Sequence, residues 1–568
     1  MKMPTWRFLL LAGAAACTAP PETGSGARLS VDSTRRAVVA TDADRGALSV
    51  VGLDTGTVGE VPVGSAPARV LRRGDDLYVS LRGERAVVRV DAAQQVAQRI
   101  HVGAEPIGLA TDGTSLFVAA SLANQVEEIA LASAEITRAF AIPGQPRALA
   151  MHPSGQTLFV STELGGVKQV TLSTGEVSPV WLPIVQGLSA TFTLRITGDL
   201  VVSPAGERLS VPVLLMDADS SLDAPADENG GSSYAVTKSG EPRFLPAIAD
   251  LELSDDGQPT GTVTMTRLAA DFTTRGQATA IAYDGAGDTL WVTFEGEDGV
   301  YALPGAPALR LGFQVMPGTA YADGIAEIAA GRTVTVSTLT RAVTVIDPQG
   351  VQQSATALLP SPLGADALRG RMLFTRADDD TMSGGGLSCA TCHFEGRADG
   401  MTWRFERGFR QTPSLAEKVA ERAPLRWDGD RVSVAEDTEK TALVMGGRGI
   451  TPDDATAVAT FVDTIRGVDL PRHGVTLAAG RAVFERAGCA GCHAGALFTD
   501  REKHALAGRE AVQTPSLIGV AATPPYLFDG TADTLEALVA GATLSRHGAA
   551  VPLSHEENAA LVEYLESL

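Results

Sequence analysis

The sequence predicts a multidomain fold, with an all-β propeller of about seven blades followed by a mainly α region built as a tandem repeat. Three observations predict it. A short motif containing Gly and Pro recurs about every 40 residues in the N-terminal half. A different set of motifs occurs twice after residue 360. The 568 residues include 60 Gly, and only 5% are aromatic. The length exceeds that of one domain core, and the composition is typical of turn-rich β structure.

The N-terminal repeat predicts the propeller blades. Its segments are 63–67, 102–106 and 142–146, with prolines 39 and 40 residues apart. The apolar strands that follow them are 77–79, 116–118 and 158–160. Similar strand pairs occur at 278–293 and 332–347, with an interrupted hairpin at 200–216. A period near 40 made of short strands and turns is typical of a four-stranded blade. We therefore expect the propeller over residues 28–355, and its repeats resemble bacterial YVTN-type blades.

The polar stretch after the hairpin at 200–216 makes calcium a possible cofactor to consider. The acidic residues from Asp217 to Glu228 have the spacing of a calcium loop. However, Leu222 stands where such a loop needs Gly, and Pro225 interrupts the stretch. A calcium site is thus without support, and a solvated acidic insertion is the alternative.

The N-terminus predicts export. Residues 1–19 combine Lys2 and Arg7 with a short apolar run, as in a signal peptide. Cys17 follows three alanines, so lipid anchoring through Cys17 and simple cleavage near Ala19 are both open. The expected location is the periplasm or cell envelope. After this segment the sequence has no run of 18 consecutive apolar residues, so we expect no transmembrane span. The net charge of −21 argues against nucleic-acid binding and is compatible with a basic protein partner.

After residue 360 the sequence becomes helical in character and repeats itself. The segment 370–374 (GRMLF) corresponds to 480–484 (GRAVF). Further shared words are TPSL at 412–415 and 514–517 and an aromatic-Asp-Gly at 427–429 and 528–530. Each unit closes with a helix that has a good N-terminal capping sequence. We expect two domains of the same kind, 362–470 and 471–568.

Each unit contains one CxxCH motif. The motif residues are Cys389, Cys392 and His393 in the first unit, and Cys489, Cys492 and His493 in the second. Two thiols at this spacing can bond both vinyl groups of one haem, and the next residue then offers its imidazole to the iron. The alternatives are a zinc site and a thioredoxin-type redox pair, neither of which needs a His after both pairs. The sequence therefore predicts two covalently bound c-type haems and two cytochrome c domains.

The tandem arrangement resembles the bacterial diheme cytochrome c peroxidase family, which includes the methylamine-utilisation diheme enzyme. The resemblance covers about residues 362–568 and is carried by 426–429 (RWDG), 513–517 (QTPSL) and 525–530 (PYLFDG). It implies that one haem reacts with peroxide while the other relays electrons. It also implies that Trp427 lies between the haems on the electron path; a core Trp is the alternative.

By residue type and placement, the plausible distal iron ligands are Met445, His473, His504, His547 and His555. The candidates among them are Met445 for the first haem and His547 for the second. A core Met is the alternative for Met445, and a loop His beside a five-coordinate iron is the alternative for His547. The sequence departs from the family here: no Met follows Met445, and Val444 stands where the peroxidases commonly have Glu.

The leading hypothesis is a diheme oxidoreductase of the cytochrome c peroxidase type that exchanges electrons with a redox partner protein. Reduction of hydrogen peroxide and oxidation of a partner protein are both open as its reaction. The second hypothesis is an electron-transfer cytochrome without catalysis, with the propeller as scaffold or docking module. A third makes the propeller the active part, binding a substrate or protein in its central channel. Whether the chain is an enzyme stays open at this level, because the motifs locate haem but not a reaction.

Overall fold

The computed structural model describes residues 23–182, 192–217, 243–268, 276–307, 314–317, 321–329, 331–383, 386–405, 408–470, 476–505, 511–548 and 551–568. The signal segment 1–19 with Cys17, most of the stretch from Asp217 to Glu228, and His473 lie outside these residues.

Seven antiparallel sheets form the N-terminal part, so the predicted seven-bladed propeller is confirmed. Blade 1 contains β2 (Leu29–Asp32), β3 (Ala37–Asp42), β4 (Ala47–Gly52) and β5 (Val58–Pro62). Blade 2 contains β6 (Pro67–Arg73), β7 (Asp76–Leu81), β8 (Ala86–Val90) and β9 (Val96–His101). Blade 3 contains β1 (Gly24–Ser25), β10 (Pro106–Thr111), β11 (Ser115–Ala120), β12 (Gln125–Ala130) and β13 (Glu135–Ala141).

The remaining blades follow in chain order. Blade 4 contains β14 (Pro146–Met151), β15 (Thr157–Thr162), β16 (Gly166–Thr171) and β17 (Glu176–Val180). Blade 5 contains β18 (Thr193–Ile196), β19 (Val201–Val202), β20 (Arg208–Met216), β21 (Phe244–Leu253) and β22 (Pro259–Arg267). Blade 6 contains β23 (Gln277–Tyr283), β24 (Thr289–Glu295), β25 (Gly299–Pro304) and β26 (Gln314–Pro317). Blade 7 contains β27 (Gly324–Ala329), β28 (Arg332–Ser337), β29 (Ala342–Ile346) and β30 (Gln352–Ala357).

Burial falls from the inner to the outer strand of a blade. In blade 3, every residue of β10 and β11 is buried, whereas β13 is almost entirely exposed. Inner strands are covered on both faces by the adjacent blades, which is why their sequences are continuously apolar instead of alternating. The repeated Gly/Pro segments are the loops that lead from the outer strand of one blade to the inner strand of the next. The inner strands surround the central channel of the propeller. The end of this channel at which the inner strands begin is called the entry mouth.

The ring closes between blade 7 and blade 1. Leu29 and Val38 of blade 1 pack in one buried cluster with Val334 and Val343 of blade 7. The N-terminal segment then crosses to other blades, because Gly24 pairs with Thr111 of blade 3 and Ala27 bridges to the inner strand of blade 2. Apolar packing and strand pairing therefore both stabilise the closed ring.

The C-terminal part contains two units of helices, each with a two-stranded hairpin that the mainly α prediction did not include. The first unit contains α1 (Ala365–Thr375), α2 (Cys389–Cys392), β31 (Thr402–Phe405), β32 (Gly408–Gln411), α3 (Val434–Val444) and α4 (Pro452–Val462). The second contains α5 (Thr476–Arg486), β33 (Lys503–Ala505), β34 (Ala511–Gln513), α6 (Leu535–Val539), α7 (Gly541–His547) and α8 (His555–Glu566). No helix among the described residues has the length and apolarity needed to cross a bilayer.

The two units use the same helix packing. Helix α1 packs against α4 in the first unit, and α5 packs against α8 in the second. The closing helices begin at the predicted caps: the Thr451 side chain accepts from the Asp454 N–H, and Ser554 forms a capping box with Glu557. The duplication seen in the sequence is therefore a duplication of helix packing.

The repeated Gly of the two units lies where the paired helices touch. A Cβ placed on Gly370 would lie 1.9 Å from the Ala457 carbonyl oxygen, and one on Gly480 would lie 2.1 Å from that of Ala560. We expect Gly480→Ala to lower the free energy of unfolding by about 1–3 kcal/mol, because a backbone contact cannot yield without separating the helices. Chemical denaturation would measure it. Gly541→Ala is the control, since a Cβ on Gly541 meets no atom within 4 Å; equal stability of the two variants would contradict the explanation.

Candidate haem-binding sites

Both CxxCH motifs face one cavity in the C-terminal region, with a volume of about 860 Å³. Its lining includes all four motif cysteines and both motif histidines, together with Trp427, Met445 and His547. All of these site residues, predicted from the sequence, therefore line one cavity. The first motif belongs to a buried cluster with Phe374 and Val458, and the second to a separate cluster around Phe484 and Leu561. Each motif therefore has the apolar core of its own unit behind it.

The first motif forms a short helix, and its imidazole is fixed by the backbone. Ser388 begins α2 and forms a capping box with Thr391. Nδ1 of His393 lies 3.0 Å from the Arg397 carbonyl oxygen, so this nitrogen carries the proton and Nε2 is left as the metal-binding atom. Burial lowers the pKa of His393, which favours the neutral imidazole that a metal requires.

The second motif repeats this geometry at a more open position. The segment Cys489–Gly491 is one turn of 3₁₀ helix. Nδ1 of His493 lies 3.1 Å from the Phe498 carbonyl oxygen, and burial lowers the pKa of His493 to about 4. An imidazole held by a backbone carbonyl is the usual arrangement of a His ligand. Both histidines thus have the orientation of metal ligands.

The structure disfavours the two alternatives for the cysteines. Burial raises the pKa of all four thiols, to about 12 for Cys389, whereas reactive redox thiols have lowered pKa values. A structural zinc site would need the four sulfurs within one coordination sphere. Within the described ranges, the one group of three possible ligand atoms lying within 4.8 Å of one another is Cys492, Asp500 and His504. The two pairs therefore do not share a metal, and each fits the attachment of its own haem.

His547 lies beside the second motif histidine. The ring centroids of His493 and His547 are 6.1 Å apart, and the ring planes differ by 24°. Two imidazoles that bind one metal ion through facing nitrogens, each at about 2 Å, have centroids about 6 Å apart. Burial lowers the pKa of His547, and its buried Nδ1 has no hydrogen-bond partner among the described residues. This spacing and this unsatisfied imidazole fit an axial ligand of the second haem.

Met445 lies at the first motif's side of the cavity. It directly follows α3, is buried, and lines the cavity with His393. The equivalent position in the second unit is Ala540, which directly follows α6. A thioether here fits an axial ligand of the first haem, although the core alternative also needs a buried Met.

The other histidines of the second unit are placed differently. His555 is exposed at the first turn of α8. His504 directs Nε2 to the Asp500 carboxylate at 2.7 Å. The cluster of Cys492 with Asp500 and His504 is incompatible with haem attachment as a metal site, because the Cys492 sulfur would then be a thioether and not a thiolate. His547 remains the strongest candidate among them.

Trp427 lies between the two units. Its Nε1 donates to the Gln411 carbonyl oxygen at 2.8 Å, and its ring meets that of Phe528 edge to face with centroids 6.4 Å apart. Its own carbonyl accepts from the Gln513 N–H at 2.8 Å, while the Phe528 carbonyl accepts from the Gln411 N–H at 2.7 Å. The QTPSL segment of one unit is thus bonded to the aromatic-Asp-Gly segment of the other, in both directions.

Two further residues, Trp403 and Arg410, line the cavity at the first site and were not identified from the sequence. Trp403 packs beside Cys392, and its Nε1 donates to Asp399 and to Thr412, each at 3.1 Å. Burial raises the pKa of Asp399 to about 6. Arg410 places its guanidinium 5.2 Å from the centre of the Phe528 ring. No motif marks these residues, because their proximity to Cys392 and Phe528 comes from the hairpin β31–β32 and not from sequence spacing.

Comparisons with known proteins assign no family to the chain. No protein-family model matches it, and no curated protein matches it. Similar solved structures include hydrazine synthase of Kuenenia stuttgartiensis (19% identity, TM-score 0.47, covering 59% of this chain and 98% of that chain). Others are virginiamycin B lyase of Staphylococcus aureus (12% identity, TM-score 0.39, covering 56% and 96%) and dihydro-haem d1 dehydrogenase NirN (13% identity, TM-score 0.36, covering 59% and 66%).

Proposed function

We propose that the chain is an exported diheme c-type cytochrome that acts as an oxidoreductase of the cytochrome c peroxidase type. One observation carries the proposal: two CxxCH motifs face one cavity, and each motif imidazole is oriented by a backbone carbonyl through Nδ1. Cys389, Cys392 and His393 would hold one haem, and Cys489, Cys492 and His493 the other. Bound haem would supply one-electron transfer, with its potential set by axial ligands, burial and nearby charge.

The two centres differ in exposure, which suggests how electrons enter. Ala390 and Thr391 inside the first motif are buried, whereas Ala490 and Gly491 inside the second are exposed. Electron transfer from a protein partner is fastest where a haem edge reaches the surface, so we place the partner at the second motif. The acidic net charge of the chain suits a basic partner.

The residues between the centres suit an electron path. Trp427 and Phe528 lie in ring contact on the cavity wall, and hydrogen bonds join their backbone to Gln513 and Gln411 of the opposite units. These bonds hold the two units at one separation. In the proposed enzyme Trp427 carries electrons from the second centre to the first, and the reciprocal bonds keep that path short.

Peroxide reduction requires an open coordination position on one iron, whereas electron transfer alone does not. His547, beside His493, would supply the second iron with a ligand from the chain itself. The first centre is therefore where peroxide would bind, in competition with Met445. The reaction consumes one hydrogen peroxide, two electrons from the reduced partner and two protons, and yields two waters.

The second candidate is an electron-transfer cytochrome without catalysis. It is favoured by Val444, an apolar residue at the place where the peroxidases commonly have Glu, and by Met445 on the lining of the same cavity. In this case Met445 and His547 would each hold one iron together with the motif histidine of that centre, and no position would be left for peroxide. The propeller is then a scaffold for the haem units.

Electron paramagnetic resonance of the purified oxidised protein, with mass spectrometry of the intact chain, tests the proposal. The mass should exceed that of the processed polypeptide by two haems. A high-spin iron signal together with consumption of hydrogen peroxide by a reduced donor supports the peroxidase. Two low-spin signals without turnover support the electron-transfer cytochrome, and an unmodified polypeptide overturns both.

A further inference from the structure

The segment after the first CxxCH motif enters the entry mouth of the propeller. Phe394, Glu395 and Arg397 of this segment contact the propeller, and so does the carbonyl oxygen of Thr391 within the motif. The propeller residues that they contact are Arg28, Arg82, Glu105, Arg147 and Arg195, which come from blades 1 to 5 in order. Five blades thus hold one short loop of the haem region.

Glu395 is the centre of this contact. Its carboxylate lies 2.7 Å from Nη2 of Arg147 and 3.6 Å from Nη2 of Arg28, and it also forms an ion pair with Arg82. Burial alone would raise the pKa of Glu395, but Arg147, Arg82 and Arg28 outweigh it and hold the pKa well below its usual range. A carboxylate surrounded by three guanidinium groups is strongly fixed in place.

A second ion pair of opposite polarity adds to the first. Here the propeller supplies the carboxylate: Glu105 is buried and lies 2.5 Å from Nη2 of Arg397 and 2.7 Å from Nε of Arg82. Arg82 therefore contacts both acids. The loop thus presents an acid at position 395 and a base at position 397, and the propeller presents the opposite charge to each. This arrangement favours one register of the loop, because a shifted loop would bring like charges together.

The same loop orients the motif histidine. Arg397 supplies the carbonyl that accepts from Nδ1 of His393, and Glu395 between them adopts a left-handed backbone with φ of 52°. A non-Gly residue holds such a conformation when its surroundings impose it. The ion pairs of Glu395 and Arg397 supply that constraint, so propeller contacts fix the position of the His393 ligand.

In the second unit the motif histidine makes the same kind of hydrogen bond, but the loop that supplies the carbonyl has no charged residues. The carbonyl that accepts from His493 belongs to Phe498, and the residues between them are Ala494, Gly495, Ala496 and Leu497, which carry no charge. The second centre is therefore an internal reference within the same molecule. Any effect that depends on the propeller should appear at the first centre only.

We infer that the propeller forms the proximal wall of the first haem centre, with Glu395 as a positioning residue for His393. This inference rests on the proposed attachment of haem to Cys389 and Cys392. It also assigns the entry mouth to the chain's own loop, in place of an external substrate. With haem bound to Cys389 and Cys392, the carboxylate of Glu395 would contribute negative charge to the surroundings of the first centre, and negative charge favours the oxidised metal.

The test is the midpoint potential of each haem in Glu395→Gln, measured by spectroelectrochemical titration. We expect the first haem to become easier to reduce by about tenfold in its equilibrium constant, which is about 59 mV for one electron. The second haem should keep its potential. A variant lacking Cys489 and Cys492 assigns the first haem's signal. Glu395→Asp, which retains the charge, should restore most of the potential, whereas a purely structural role would not distinguish Asp from Gln.

Glu163→Gln is the matched control, because Glu163 also pairs with Arg147, at 3.2 Å, but lies within the propeller. It should leave both potentials unchanged. Hydrogen exchange of segment 389–400 gives a readout that needs no haem, and it should rise in Glu395→Gln while segment 489–500 stays constant. Unchanged potentials with unchanged exchange would overturn the inference. A wild-type chain without haem would instead overturn the proposed function, and the exchange measurement would still test the docking.

Discussion

Replacing Cys489 and Cys492 together by serine is expected to yield a protein that carries one haem instead of two. Serine cannot form the thioether bonds, and Cys489 packs on the apolar cluster of its own unit, apart from the cluster on which Cys389 packs. Intact-mass spectrometry should show the loss of one haem mass. The absorption spectrum of the first haem should remain, because its ligand His393 is held by the loop docked in the propeller.

The reciprocal replacement of Cys389 and Cys392 should remove the other haem. Its effect on stability should be larger, since Ala390 and Thr391 are buried beneath the propeller while Ala490 and Gly491 are exposed. Loss of a buried prosthetic group leaves an apolar cavity, and such cavities destabilise in proportion to their size. Thermal unfolding of both double variants would compare them. A chain that keeps two haems after either replacement would contradict the assignment of the motifs.

Replacing His547 by alanine is expected to convert the second iron from low spin to high spin. The imidazole of His547 lies beside that of His493 with ring centroids 6.1 Å apart, a distance that two ligands of one metal can have. Removing a strong axial ligand leaves an open position. Electron paramagnetic resonance and the visible spectrum of the oxidised protein would report the change. Added imidazole should restore the low-spin spectrum by filling the same position.

His555→Ala is the control, because His555 is exposed at the start of α8 and should leave both spectra unchanged. Met445→Ala completes the set for the first haem. If Met445 is its axial ligand, the variant should show a lowered potential for that haem, since thioether ligation raises the potential. A His547→Ala protein that keeps two low-spin irons would exclude His547 as a ligand.

Features with a local signature could be predicted from the sequence alone. The period near 40 predicts the blades, since each blade is one repeating unit and its loop residues recur at fixed offsets. The CxxCH motifs predict haem attachment because both thiols and the ligand lie within five consecutive residues. The repeated Gly370 and Gly480 indicate the duplicated units, and the structure explains them as points of close helix contact.

Contacts between distant segments could not be predicted in this way. The hairpin of each C-terminal unit has short strands without clear alternation, so the mainly α prediction missed it. Trp403 has no repeated counterpart motif, and its place beside Cys392 depends on that hairpin. His547 was identified as a candidate by residue type, but its position beside His493 comes from the placement of α7.

Local sequence patterns predict the propeller, the duplication and the six residues that would hold two haems. The relation of the propeller to the haem units follows only from the folded chain. Glu395 and its partners Arg147 and Arg82 are separated by 248 and 313 positions along the chain. Ion pairs have no sequence periodicity, so such a contact exists only after seven blades have closed and brought their arginines to one mouth.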